Sequence, residues 1–328
     1  MADTTPYEHL SPDTIIRAVE TAGYLPDGRL LALNSYENRV YQVGIEDAQP
    51  LVAKFYRPGR WEDGAILEEH AFSRALAEDE IPVVAPLSNP AGETLSRFEG
   101  YRFALYPRQG GRTPELEDDQ NLRWIGRFLG RIHALGATRA FRHRLTLDPE
   151  TFGTRAAGFL LARGFLPLES EGPYRRLTDE LLAGVGEAFE QTSGCGRIRL
   201  HGDCHPGNIL WTEAGPHFVD LDDCCMGPTV QDLWMLLSGD RHEAARQLQA
   251  LLEGYRMFQD FDPRELSLIE PLRTLRIIHH AAWLANRWED PAFPRAFPWF
   301  GSHQYWQQHL GILEQQRVAL ETPTFPLD

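Results

Sequence analysis

Apolar positions along this chain fall into two periods, one helical and one extended. Ser11-Pro12-Asp13 before Ile15, Ile16 and Val19 reads as a helix start, with Ser11 as cap, Pro12 in the first turn and Gly23 as the stop. From about residue 29 to 57 the pattern is strand-like. Leu31 and Leu33, Val40 and Val43, then Leu51, Val52 and Phe55 form short runs broken between Gly44 and Pro50. These runs predict three antiparallel strands. Glu62 to Glu78 reads as a helix with Ile66, Phe72 and Leu76 among its apolar positions, and Tyr101 to Pro107 as a further strand. Leu122, Ile125, Leu129, Ile132 and Leu135 then recur at helical spacing until Gly136. Residues 150–195 predict two helices around a Phe165-Leu166-Pro167 break, and Arg197 to Leu200 a short strand. Ile209-Leu210-Trp211 and His217-Phe218-Val219 predict a small hairpin, and the pattern is helical from Val230 onward. The order predicts an α+β chain of two parts: residues 1–108, an antiparallel sheet plus helix, and residues 109–328, mainly helical. The first few residues and Thr322–Asp328 are expected to be disordered.

Composition narrows the function classes. A chain of 328 residues supports two substantial cores. The net charge of −15 argues against a nucleic-acid binder, which shows a basic stripe, and against an anionic membrane surface. No basic-then-apolar leader and no apolar run of about 18 residues is present, so a cytoplasmic protein is expected. We expect a monomer. Cys195, Cys204, Cys224 and Cys225 form no C-x-x-C pair, so they read as small reduced thiols rather than as a zinc or redox motif.

The chemistry concentrates in His201-Gly202-Asp203-Cys204-His205-Pro206-Gly207-Asn208, followed by Val219-Asp220-Leu221-Asp222. In phosphoryl transfer one Asp accepts the proton of the attacking hydroxyl, and an Asn of the same loop with a second Asp holds Mg²⁺ against the ATP phosphates. A carboxylate suits the first task, and Mg²⁺ prefers hard oxygen ligands for the second. The basic residues add a second clue. Of 32, all but Lys54 are arginine. Lysine therefore persists at one place, in Leu51-Val52-Ala53-Lys54-Phe55, where a compact ammonium and a planar guanidinium are not interchangeable. Val-Ala-Lys in an apolar strand reads like the kinase strand whose lysine pairs the α- and β-phosphates.

The His-Gly-Asp-x-His-x-x-Asn run with its later Asp resembles the phosphotransferase motif of the aminoglycoside and choline kinase family, a branch of the bilobal protein-kinase-like fold. Leu33 to Tyr41, Lys54 to Pro58, Ile66 to His70 and Val219 to Asp223 resemble more closely a bacterial serine/threonine protein kinase branch that acts in stress response. The resemblance spans almost the whole chain. It implies ATP and Mg²⁺ as cofactors, Asp203 as the hydroxyl-orienting base, and Asn208 and Asp220 as metal ligands. Lys54 is implied to be aligned by a helix glutamate; Glu68 and Glu69 both offer one, and the family pattern favours Glu69. Backbone groups near Leu105 and Tyr106 are expected to meet the adenine edge. Ser35 and Asn38, in a first turn without the glycines of protein kinases, are expected to offer donors to phosphate. Asp222 ranks below Asp220 as a metal neighbour. His133, His201 and Asp232 are implied to be scaffold.

Two rivals remain at this level. His201, Asp203 and His205 have zinc-ligand chemistry at close spacing, as in a metallohydrolase. A nucleotide-binding pseudokinase is the other, disfavoured because Asp203 and Asp220 are both present. The acceptor is open as well. Eleven residues separate Asp220 from Asp232, with no Ala-Pro-Glu-like segment to bind peptide, which favours a small hydroxylated acceptor. The resemblance favours serine or threonine on protein. The aromatic stretch from His279 to Phe300 is either an acceptor surface or packing.

Overall fold

Ser11 accepts the Thr14 N–H at 3.1 Å and so opens helix α1 (Pro12–Thr21) in the computed structural model, which describes residues 6–322. The bond satisfies a first-turn donor, and Pro12 costs little where no helical partner exists. Gly23 ends the element at φ 93°, in the left-handed region open to glycine. Apart from Thr322, whose hydroxyl donates to the Val318 carbonyl at 3.1 Å, the termini read as disordered lie outside the described residues.

The predicted strands are β1 (Pro26–Leu33), β2 (Arg39–Ile45) and β3 (Leu51–Phe55), followed by helix α2 (Asp63–Glu78), β4 (Ser96–Phe98) and β5 (Tyr101–Pro107). They form one five-stranded antiparallel sheet in the order β1-β2-β3-β5-β4. Strand β4 was not read from the sequence, because three residues are too few to show alternation. The two-residue period sorts β3 and β5 between two faces. Ala53, Phe55, Phe103 and Leu105 join Ile15 and Val19 of α1 in one core. Ala104 and Tyr106 join Ile66 of α2 and Tyr56 in the other. Lys54 stands between Ala53 and Phe55, opposite Ala104, and therefore projects on the α2 side.

Beyond β5 come α3 (Asp119–Gly136), α4 (Arg155–Ala162), α5 (Leu168–Gln191) and β6 (Ile198–Leu200), then the hairpin β7 (Ile209–Thr212) and β8 (Gly215–Phe218). They are followed by β9 (Cys225–Gly227), α6 (Val230–Trp234), α7 (Arg241–Tyr255), α8 (Ile269–Asn286), α9 (Ala292–Ala296) and α10 (His303–Leu320). No described helix is long and apolar enough to cross a membrane.

The chain divides into two compact units that are discontinuous in sequence, unlike the single cut near residue 108 read above. One comprises residues 1–115, 141–144 and 205–224, and the other the remainder. Hydrogen bonds explain the recruitment of the later segments into the first unit. The Phe218 N–H donates to Pro82 O at 2.7 Å and the Val84 N–H to Phe218 O at 3.2 Å, while Arg112 and Trp211 exchange backbone bonds of 3.0 and 2.6 Å. One Glu68 carboxylate accepts the backbone N–H groups of Arg142, His143 and Arg144 at 2.7 to 3.1 Å. In the second unit α3 packs on α7 through glycines. A Cβ at Gly126 would stand 2.0 Å from Leu251 O, and one at Gly254 2.0 Å from Arg123 O, so the helices approach closer than any side chain permits. Leu160, Tyr174, Leu181, Ile278, Leu284, Trp306 and Leu313 form a core shared by α4, α5, α8 and α10.

Candidate active site

Within the first unit, sheet, helix and hairpin place four predicted or ranked residues together. Lys54 Nζ lies 3.0 Å from Asp222 Oδ1, 3.3 Å from Asp220 Oδ1 and 3.6 Å from Glu69 Oε1. Lys54, Glu69 and Asp222 are buried, whereas the Asp220 side chain is 57% exposed. Burial alone would expel the lysine charge. The carboxylates of Asp222, Glu69 and Asp220 outweigh it and hold the ammonium well above the usual range.

The two buried acids divide unequally. Burial opposes ionisation of Asp222, but Arg60, Lys54 and Arg144 overcome it and hold that carboxyl well below its ordinary range. Burial pushes Glu69 up to about 7, with Lys54 opposing and Asp222 adding to the rise. An acid paired strongly with Lys54 should fall rather than rise, and the distances of 3.0 and 3.6 Å say that Asp222 holds the larger share of the lysine. Glu69 Oε2 is also buried without a hydrogen-bond partner among the described residues. A folded-state value above the ordinary 4.5 means the folded chain holds a proton that the unfolded chain has released. This group's contribution therefore falls as pH rises from about 4.5 to about 7. We expect Glu69→Gln to flatten that part of the stability profile, read as urea midpoints at several pH values; an unchanged slope would contradict the assignment.

Asp222 is more central than its sequence rank suggested. One carboxylate receives Lys54 and Arg60, and it accepts Asn38 Nδ2 at 3.1 Å. Arg60 also meets Asp223 at 2.5 Å. Arg144 lies over the Trp61 ring at 4.1 Å and donates to the Asp222 carbonyl and, at 2.8 Å, to the Cys224 carbonyl. Arg60 and Arg144 were missed by the sequence reading. Arg60 is separated from Asp222 by 162 residues, and no local pattern marks it.

Of the backbone and side-chain donors expected of Asn38, the side chain is engaged within the chain itself. Its Nδ2 is turned to Asp222, and its Oδ1 accepts the Arg57 N–H at 3.1 Å. The side chain thus ties the β1–β2 turn to the segment after β8. Ser35 lies half-buried in the same turn. The Leu105 carbonyl accepts the Leu87 N–H at 2.7 Å. The Tyr106 hydroxyl lies 2.9 Å from the Tyr56 hydroxyl, which in turn lies 2.7 Å from His70 Nε2. Any contact of Tyr106 with a nucleotide therefore falls to its backbone.

Asn208 ends a short turn after Pro206, and its carbonyl accepts the Val219 N–H at 3.0 Å. That bond sets Asn208 beside the residue preceding Asp220. Asp220 itself sits at φ 59° and ψ 65°, a left-handed conformation costing about 1 kcal/mol for a non-glycine residue. Such strain persists where surrounding structure enforces it and often marks functional positions. An amide oxygen and an exposed carboxylate fit Mg²⁺, which takes one or two protein oxygens and completes its shell with phosphate and water. Among the described residues no group of three or more His, Cys, Asp or Glu is arranged to cage a metal.

In the second unit Asp203 follows β6, and its carboxylate meets Arg276 Nη1 of α8 at 2.8 Å. The loop before it is fixed by Asp232 of α6. That carboxylate accepts the His201 and Gly202 N–H groups at 2.8 Å each and lies 3.0 Å from His133 Nε2. Burial opposes its charge, and the bond from His133 leads the interactions that hold its carboxyl low. Both side chains are fully buried, which agrees with a scaffold role for His133 and Asp232. Asp232→Ala should lower unfolding free energy by about 2–3 kcal/mol, because buried donors lose their acceptor. Chemical denaturation checks this, and a loss below about 1 kcal/mol would oppose it.

Comparison with known proteins shows the family of the chain. The profile of the phosphotransferase enzyme family matches residues 29–269. The chain is 44% identical to stress response kinase A of Escherichia coli K12, over 97% of this chain and 96% of that protein. It is 43% identical to the serine/threonine protein kinase RdoA of Salmonella typhimurium LT2 over the same shares. Among solved structures, an amicoumacin kinase in complex with AMP-PNP and Ca²⁺ superposes at a TM-score of 0.74, with 18% identity, over 96% of this chain and 95% of that one. A choline kinase from Cryptosporidium parvum superposes at 0.61, with 13% identity, over 93% and 96%. At those identities the structures speak for the protein-kinase-like fold alone.

Proposed function

Because the chain belongs to the phosphotransferase enzyme family and is an ATP-using kinase, we propose that it moves the γ-phosphoryl of ATP to serine or threonine of a protein in a stress response, with Mg²⁺ as the metal. The observation that carries the phosphotransfer reading is the cluster of Lys54, Glu69, Asp220 and Asp222, with an ammonium held among three carboxylates. The relatives named as protein kinases, alike over nearly their full length, support the protein acceptor. Family membership replaces the metallohydrolase reading.

In this proposal Asp203 accepts or orients the proton of the attacking hydroxyl. Lys54, set by Asp222 and Glu69, holds the α- and β-phosphates. Asn208 and Asp220 hold Mg²⁺, which when bound neutralises charge on the transferring phosphoryl group. Asp222, locked by Arg60 and Asn38, positions Lys54 rather than binding metal itself. Ser35 and the backbone of its turn face the phosphates, and the backbone at Leu105 and Tyr106 lies along the adenine. We also propose a cytoplasmic monomer, with neither nucleic acid nor membrane as a partner. The small-molecule reading is kept by one observation: only eleven residues lie between Asp220 and Asp232 to receive a peptide.

The test of the metal and nucleotide half is the Mg²⁺ dependence of ADP formation. Asp220→Asn is expected to raise the Mg²⁺ requirement and lower turnover by at least about 100-fold, a loss of roughly 3 kcal/mol of transition-state stabilisation. Wild-type Mg²⁺ dependence in that variant would sink the assignment.

A further inference from the structure

The acceptor side of the proposed active centre carries positive charge where a site for a cationic acceptor would carry negative. Helix α8 presents Arg276, His280, Trp283 and, at its end, Arg287, spaced by four, three and four residues and therefore along one stripe of the helix. Arg276 Nη1 meets Asp203 Oδ1 at 2.8 Å, with side chains 46% and 23% exposed. His280 stacks on Trp283 with centroids 5.6 Å apart and planes 20° from parallel. Burial, and after it Arg276, push the His280 imidazole below its ordinary range, with Asp203 opposing. His280 therefore adds no lasting negative or positive charge near neutral pH.

The Trp283 face that could hold a quaternary or primary ammonium by cation–π attraction already carries the Arg287 guanidinium at 5.2 Å. Trp283 also meets Phe293 at 5.2 Å and Phe297 at 6.0 Å, ring against ring within the α8–α9 packing. The aromatic stretch that the sequence left undecided is thus mostly core, and the cation–π position at Trp283 is filled by the chain itself. Arg273 is occupied elsewhere, with Glu270 at 2.9 Å and the Trp234 ring at 5.5 Å. Arg276 is the arginine of this stripe that reaches the Asp203 carboxylate.

We propose that Arg276 is a specificity residue: it selects a serine or threonine acceptor whose neighbouring group is anionic, a carboxylate side chain or a phosphate already on the polypeptide. In this structure Asp203 takes the place of that anion. When the acceptor enters, the guanidinium turns to the acceptor's charge through a charge-assisted, planar hydrogen-bond fork, and Asp203 is released to the hydroxyl. A cationic acceptor would instead meet the Arg276 guanidinium. The inference rests on the phosphotransferase reading of Asp203, and deepens it by naming the acceptor's charge.

The test uses the full chain with γ-labelled ATP and two matched panels. One holds serine peptides with Asp, phosphoserine, Ala or Lys beside the acceptor. The other holds small alcohols bearing a carboxylate, a phosphate or an ammonium. Wild type is expected to prefer anionic over cationic acceptors by at least about tenfold in kcat/KM, in whichever panel takes label. The ratio should fall towards one in Arg276→Ala, recover in part in Arg276→Lys, and invert in Arg276→Glu. Arg276 is half-exposed on a helix surface, and circular dichroism of each variant controls for folding. A wild-type preference for neutral or cationic acceptors, or a ratio untouched by Arg276→Ala, overturns the proposal. Label confined to anionic small molecules supports Arg276 while overturning the protein-acceptor reading, so the two failures are separate.

Discussion

Asp203→Asn is expected to lower phosphoryl transfer by about 10²- to 10⁴-fold while ATP affinity stays within about twofold. The reason lies in what the carboxylate does and does not touch. Asp203 belongs to the loop fixed by Asp232, and its carboxylate meets Arg276 at 2.8 Å. The amide keeps the size of the side chain but loses the charge that draws the hydroxyl proton. It also loosens the ion pair with Arg276 and leaves that guanidinium freer for an anionic acceptor, so the loss should fall on kcat rather than on acceptor affinity. Equilibrium ATP binding and single-turnover label transfer together read both quantities. A variant that retains kcat within about tenfold would remove Asp203 from the chemistry.

Lys54→Met carries the second large effect, on stability as well as activity. The ammonium sits among Asp222, Asp220 and Glu69 at 3.0, 3.3 and 3.6 Å, and two of these acids are buried. Removing one partner of a buried ionic network leaves charge uncompensated, at a cost of about 3–5 kcal/mol. Arg60 and Arg144 still restrain Asp222, so the loss should fall near the lower bound. In the double variant with Asp222→Asn, part of the loss should return, giving a coupling of about 1 kcal/mol or more. Lys54→Arg separates charge from geometry. It keeps the counter-charge and should retain more stability, yet lose transfer, since a guanidinium cannot occupy the place of a compact ammonium between strand and helix. Wild-type turnover in Lys54→Arg would remove the meaning attached to the lone lysine.

The candidate site residues that the sequence singles out share a property: each announces itself within a short window. Lys54 stands in an apolar strand and is the one lysine of 32 basic residues. Asp203, Asn208 and Asp220 lie at characteristic spacing, and the structure sets Asn208 beside Val219 through one backbone bond. Glu69 needed the helix period and the family pattern, and it does face Lys54. What the sequence did not show are contacts made across long separations. Asn38 meets Asp222 across 184 residues, Arg60 across 162, and Arg276 meets Asp203 across 73. Arginine is also the commonest cation of this chain, so no count or spacing distinguishes the three that matter from the rest.

The fold shows the same division. Helices and strands of five residues or more followed the periodic pattern, whereas β4 and β9, three residues each, carry no period to read, and the equally short β6 was read from its place before the His201–Asn208 run. The composition of the first unit depends on Glu68 binding residues 142–144 and on the β7–β8 hairpin pairing with residues 82–84. Those bonds also bear on control. Helix α2 is bound to the segment holding Arg144, and Arg144 holds the Asp222 and Cys224 carbonyls. The lysine, the helix glutamate and the residues after Asp220 are thus held together by contacts of the chain itself.

The proposed phosphorylation of a hydroxyl on protein depends on Asp203. The most direct test incubates the pure enzyme with γ-labelled ATP, Mg²⁺ and a desalted cell lysate, then maps new phosphates by mass spectrometry beside an Asp203→Asn control. Phosphoserine or phosphothreonine that appears with wild type and is missing with the variant is the predicted result. Label that reaches no protein, or reaches it equally with Asp203→Asn, would contradict it.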